Sequence, residues 1–194
     1  MYDGDCNGVC WYIGTRYGAQ TWVNPVLAGL MTVRASSPTI RGTDPRVLCG
    51  RSFQRHNFAG PRKERLDDGT ERLISWWFLD LGSGRALECT YYSLRTDGSQ
   101  NFLRHWALQG SNDEREWDDL RRHDSDTTLT MPGQYASWPV KAVAGDKDKK
   151  KPPYRYFRIV LLRPNEEAAN PYHLCLSCLE LYGIFYNENV NSLC

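Results

Sequence analysis

Arg95 and Arg104 bracket a polar stretch that contains Asp97 and Asn101 and is followed at once by His105. Two guanidiniums at the ends of one loop can clamp a carboxylate, a phosphate or an acidic peptide through paired N–H donors, with the aspartate, amide and imidazole adding contacts. The competing reading is structural: each arginine pairs with a carboxylate at the edge of the core, such as Asp80 or Glu180. Trp138, beside Pro139, is a further candidate contact at the tip of a neighbouring connection. Trp11 and Trp22 offer indole faces to a sugar or peptide, or pack into the core. The ligand-binding candidates are therefore Arg95, Asp97, Asn101, Arg104, His105 and Trp138.

The chain has seven cysteines. That is too few, and an odd number, for a disulfide scaffold of this length, so reduced thiols are the plain reading. Two close pairs, Cys6 with Cys10 and Cys175 with Cys178, have spacings that can hold a structural zinc if the two ends of the chain adjoin. Against this, residues 174–182 read as a strand, which points Cys175 and Cys178 to opposite faces. They are weak metal candidates, and no other cofactor is implied.

No catalytic site is expected. The sequence holds no glycine-rich phosphate loop followed by Lys-Ser/Thr, no HExxH and no GxSxG. His56, His105, His123 and His173 are dispersed, and neither Cys49 with His56 nor Cys175 with His173 comes with a third, orienting group. The acidic cluster Asp113, Glu114, Glu116, Asp118 and Asp119 can hold a cation, but it follows Ser111-Asn112, a strong turn opener, and fits a turn better.

The elements that must position these residues are strands. Apolar segments are short, rich in Val, Ile, Tyr, Phe and Trp, and punctuated by Gly, Pro, Asn and Asp. Strands are expected over 30–36, 76–81, 87–95, 106–111, 116–123, 134–140, 154–162 and 174–185, an all-β jelly-roll sandwich in a single domain spanning residues 1–194. Residues 41–72 read as a long surface loop partly ordered by Leu48, Phe53 and Phe58, and residues 144–153 as a flexible charged loop. With 24 Lys+Arg against 23 Asp+Glu, the formal net charge is +1. Such a balance gives no global field for nucleic acid. No apolar run suffices for a membrane span and the polar start is unlike a signal peptide, so an intracellular, cytoplasmic chain is expected.

Specific words then carry a resemblance. Trp11-Tyr12-Ile13-Gly14-Thr15, Trp22-Val23-Asn24-Pro25, Trp77-Phe78-Leu79-Asp80-Leu81-Gly82, Leu103-Arg104-His105-Trp106, Gln109-Gly110-Ser111-Asn112-Asp113, Tyr156-Phe157-Arg158-Ile159 and Glu180-Leu181-Tyr182-Gly183 stand in one order over nearly the whole chain. In this they resemble the discoidin-like, galactose-binding-fold domains, of coagulation-factor type C-like character, inside HECT-type ubiquitin ligases and in BTB-domain adaptor proteins. The resemblance implies a galactose-binding-domain-like sandwich whose end loops bind a protein or peptide segment, with a carbohydrate or a structural place in a large complex as alternatives. It departs at Arg95-Thr96-Asp97-Gly98, where relatives carry an Arg-His pair, and at Cys178, which replaces a small residue. These residues contain no HECT or BTB segment, so ligase or adaptor chemistry is expected to lie elsewhere.

Overall fold

A computed structural model describes residues 5–65, 68–140, 151–165 and 169–188. Among the described residues, eleven strands form three antiparallel sheets. The larger has five strands, β1 (Thr32–Ala35), β5 (Trp76–Asp80), β10 (Tyr156–Leu161), β7 (Trp106–Ser111) and β8 (Asp118–His123), in that spatial order. Facing it is a four-stranded sheet of β2 (Phe58–Ala59), β11 (Leu174–Asn187), β6 (Arg85–Thr96) and β9 (Tyr135–Pro139). The third is a hairpin of β3 (Arg62–Arg65) and β4 (Glu71–Ile74).

Alternation along the strands builds the core. Trp77 and Leu79 of β5, Phe157 and Ile159 of β10 and Leu108 of β7 turn inward, where they join Tyr92, Leu94, Leu176 and Leu181 of the opposing sheet in one buried cluster. Full burial of each such side chain contributes about 1.5–3 kcal/mol. A second, small apolar cluster of Ile74, Ala107 and Val160 lies under the β3–β4 hairpin on the outer face of the larger sheet.

All eight expected strands are present, with ends shifted by at most a few residues. The interval 41–72 holds more order than expected: a 3₁₀ turn (Pro45–Cys49), β2, β3 and the start of β4. A short helix, α1 (Val9–Gly14), precedes the first strand. Most of the charged segment 144–153 lies outside the described residues. The Asp80-Leu81-Gly82 word is a turn as expected: the Gly82 amide donates to Asp80 Oδ1 at 2.8 Å, and its φ of 95° lies in the left-handed region that favours glycine. Gly110 is needed for a different reason, since a Cβ there would stand 2.7 Å from the Tyr154 ring. The acidic cluster is a turn as well, with Asp113 Oδ1 accepting from the amides of Arg115 and Glu116.

Candidate functional site

At one end of the sandwich a cleft of about 620 Å³ opens among three loops. Its walls come from the segment between β1 and β2, from the β6–β7 turn and from the loop leading into β11. Buried Asn57 joins these segments. Its backbone amide donates to Asp97 Oδ2 at 3.0 Å, its side-chain amide donates to the Leu176 carbonyl at 2.9 Å, and its Oδ1 accepts from the Asp44 amide at 2.8 Å. The other Asp97 oxygen accepts from the amide and hydroxyl of Ser99 at 2.8 and 2.6 Å. The Gly98 amide donates to the Arg55 carbonyl at 2.8 Å. The loops are thus cross-braced before any ligand arrives, which lowers the ordering cost of binding.

The polar lining is mainly donors: Arg41, Arg55, His56, Gln54 and Asn101. Arg41, Gln54, Arg55 and His56 are exposed. His173 stacks on Phe58 with ring centres 4.1 Å apart, and burial lowers its pKa from the ordinary imidazole value. The Cys175 thiol accepts from Asn101 Nδ2 at 3.5 Å, and burial pushes it up to about 12, far from a reactive thiolate.

The arginine clamp expected from the sequence is not formed. Arg95 is buried and donates from Nε to Ser177 Oγ at 2.9 Å and from Nη2 to the Ser177 carbonyl at 3.3 Å. Arg104 turns its Nη1 to the Leu129 and Leu103 carbonyls at 2.7 and 3.0 Å, closing the β8–β9 connection. His105 bonds Asp124 at 2.6 Å on the outer side. Trp138 is buried against Tyr92 and Trp106, with centres 5.3 and 5.5 Å away. Of the six candidates, only Asp97 and Asn101 line the cleft, and Asp97 does so as a brace. The alternative pairing partners also differ, since Arg155 holds Asp80 at 2.7 Å. Trp11 and Trp22 are half-buried around a separate cavity of about 30 Å³.

The cysteine pairs separate. Cys10 lies 3.1 Å from Cys49 and 3.6 Å from the Leu179 carbonyl, and its thiol pKa is raised by the Cys49 contact and by burial. Cys175 sits at the cleft instead, and Cys6 is exposed near Arg51. Among the described residues no group of three or more His, Cys, Asp or Glu is placed to hold a metal ion. No helix among them is long and apolar enough to cross a membrane.

The sheets, register and end-loop cleft define a galactose-binding-domain-like β-sandwich. No family model matches the chain. By sequence it is 46% identical over 183 residues to a BTB/POZ domain-containing protein of Arabidopsis thaliana, covering 94% of this chain and 21% of that protein. It is 31% identical over 186 residues to the E3 ubiquitin-protein ligase Ufd4 of Drosophila melanogaster, covering 94% of this chain and 6% of that one. The chain therefore spans a minor part of these relatives. By structure it is similar to a Clostridium perfringens carbohydrate-binding module, CpGH89CBM32-5, solved with GalNAc-beta-1,3-galactose, with a TM-score of 0.51 and 12% identity over 80% of this chain and 96% of that one. It matches allantoicase equally well, with a TM-score of 0.51 and 11% identity over 83% of this chain and 43% of that one. A fold that hosts both fixes the architecture and leaves the function to the site.

Proposed function

We propose that the chain is a non-catalytic, discoidin-like recognition module that captures a segment of a partner protein in the end-loop cleft, within a cytoplasmic ubiquitin-ligase or adaptor assembly. The braced cleft and its donors carry this reading. Arg41, Arg55, His56 and Asn101 present N–H groups, while the Asp97 carboxylate is engaged by Asn57 and Ser99. Such a lining suits the carbonyls and carboxylates of a peptide. The names of the sequence relatives supply the assembly context, and transfer of ubiquitin would belong to other parts of such proteins. Burial keeps the Cys175 thiol far from thiolate, which favours binding over catalysis.

A carbohydrate is the second reading, favoured by the amides of Gln54, Asn101 and Asn170 at the cleft, which can both donate to and accept from sugar hydroxyls. Against it, Phe58 has His173 over one face and Gly42 against its edge, so the ring offers no clear platform for a pyranose.

The test uses an Arg55→Ala/His56→Ala variant, which removes two exposed cleft side chains. Peptides selected on an array by the wild-type chain are titrated against both proteins. Loss of peptide affinity with an unchanged melting temperature supports the reading, and equal affinity overturns it. GalNAc-beta-1,3-galactose is added in a parallel thermal scan, where stabilisation of the wild type alone would favour the second reading.

A further inference from the structure

One residue from each strand of the larger sheet forms a row across its outer face: Arg34, Phe78, Arg158, Gln109 and Asp119 pair in register from β1 to β8. Aromatic rings and guanidiniums alternate around this row. The Arg34 guanidinium lies 3.9 Å from the centre of the Phe78 ring, and that of Arg158 lies 4.1 Å from Trp117. Phe78 in turn meets Trp76 and Trp117 edge-on. The β3–β4 hairpin stands over the same face on Ile74 and leaves beside itself a groove of about 370 Å³ with Trp76, Trp117 and Arg158 in its lining.

The charges of this groove do not balance. Arg34, Arg62, Lys63, Arg65 and Arg158 face only Glu64 and Glu114. Glu114 is held by Arg34 and Glu64 by Arg72, while Lys63 is paired with Glu71 outside the groove. Among the described residues no carboxylate is within ion-pair distance of Arg62, Arg65 or Arg158. Arg158 donates only from Nε, to Gln109 Oε1 at 2.6 Å, although burial has already pushed its guanidinium down to about 10. Glu64 and Asp119 act on Arg158 only from beyond ion-pair distance, so a half-buried guanidinium with no carboxylate in contact leaves a place for an anion.

We propose that this groove binds an acidic, extended segment of a partner protein, with Arg62, Arg65 and Arg158 receiving its carboxylates and Trp76 and Trp117 packing against the side chains between them. Charge complementarity selects the occupant. Paired acids such as Glu64 and Glu114 stand among the cations, so a continuous phosphate backbone meets repulsion that separated carboxylates can avoid. The surface belongs to the other sheet from the one that borders the end-loop cleft and does not depend on what that cleft binds.

The probe is a fluorescein-labelled decapeptide of alternating glutamate and serine, titrated into the full chain at low and at high salt. Binding at low salt that weakens as salt rises is expected, with none for the lysine counterpart. The Arg62→Ser/Arg65→Ser variant, changed only at exposed positions, should melt with the wild type and bind the peptide at least about tenfold more weakly. Arg158→Gln should do the same, and His56→Ala in the end-loop cleft should leave this affinity where it was. Absence of binding at low salt, or equal affinity in the Arg62→Ser/Arg65→Ser variant, overturns the proposal. So does displacement of the peptide by inorganic phosphate at equal concentration, which would leave a simple anion site. Tighter binding of a single-stranded oligonucleotide of equal charge overturns it in favour of nucleic acid.

Discussion

Asn57 donates its backbone amide to Asp97 across 3.0 Å, and both residues are buried. The contact joins two segments remote in sequence and sets the spacing of the cleft walls. Asp97 is thus a brace rather than a ligand contact. Asp97→Ala strands the Asn57 amide and the Ser99 hydroxyl together, and a buried donor left unpaired costs about 1–3 kcal/mol. A fall in the denaturant midpoint at unchanged slope should accompany loss of cleft binding. Retention of full stability would show that the turn closes without the carboxylate.

Arg95 and His56 should behave oppositely. Arg95→Ala removes a donor to the Ser177 hydroxyl and carbonyl and opens a void in a buried site, for an expected loss of about 3 kcal/mol. Exposed His56→Ala should leave the unfolding midpoint within about 0.5 kcal/mol of the wild type. Denaturant curves of the two variants decide this. A stable Arg95→Ala protein that has lost only ligand binding would restore the arginine-clamp reading.

The strands were legible because Trp77/Leu79, Phe157/Ile159 and their neighbours alternate with a period of two. The β3–β4 hairpin was not, since Arg62-Lys63-Glu64-Arg65 has no apolar alternation and is ordered by pairing with β4 and by Ile74 beneath it. The six residues of α1 are too few to display a helical period. At the site, Asp97 and Asn101 of the turn after β6 line the cleft, Asp97 as a brace. Arg41, Arg55 and His173 come from segments remote in sequence that are joined through Asn57 and β11, and their spacing carries no signal of that meeting. Arg95 misled because a buried arginine that donates to Ser177 looks, in sequence, like an exposed one.

Glu180 should make the protein less stable as pH rises. Its Oε1 accepts from the amides of Cys10 and Leu181 at 2.8 and 3.1 Å, and it fills the space against Gly8, where a Cβ would lie 2.0 Å from its carboxyl carbon. Burial pushes this carboxyl up to about 7, above its ordinary 4.5. Between those values the folded state holds the proton that the unfolded chain has released, so stability is full below about 4.5 and declines as pH climbs to about 7. The displacement corresponds to at most about 3 kcal/mol. Glu180→Gln keeps the acceptor and removes the titration, so its stability should no longer fall as pH rises over this window. Parallel profiles for the two proteins would show that Glu180 is ionised throughout.

His123 acts with the opposite sign. Its ring stacks on Trp106 with centres 3.9 Å apart, its Nε2 lies 2.6 Å from the Tyr92 hydroxyl, and its Nδ1 lies 2.6 Å from Asp126 Oδ2. The Tyr92 oxygen already accepts from Trp106 Nε1 at 3.1 Å, so its single proton goes to His123. That assignment leaves Nε2 as acceptor and Nδ1 as the donor to Asp126, a neutral ring with a defined tautomer. Burial lowers its pKa below the ordinary 6.5, with Asp126 pulling the other way. The unfolded chain therefore takes up the proton first, and this group's contribution is complete above about 6.5 and is lost as pH falls toward the folded value. In the wild type the two trends oppose each other between about 4.5 and 6.5, and above 6.5 only the Glu180 trend remains. Glu180→Gln should expose the acid loss of His123 alone. Nitrogen chemical shifts of the imidazole should report an Nδ1–H ring titrating below 6.5. An Nε2–H ring would refute the tautomer, and a midpoint above 6.5 the sign.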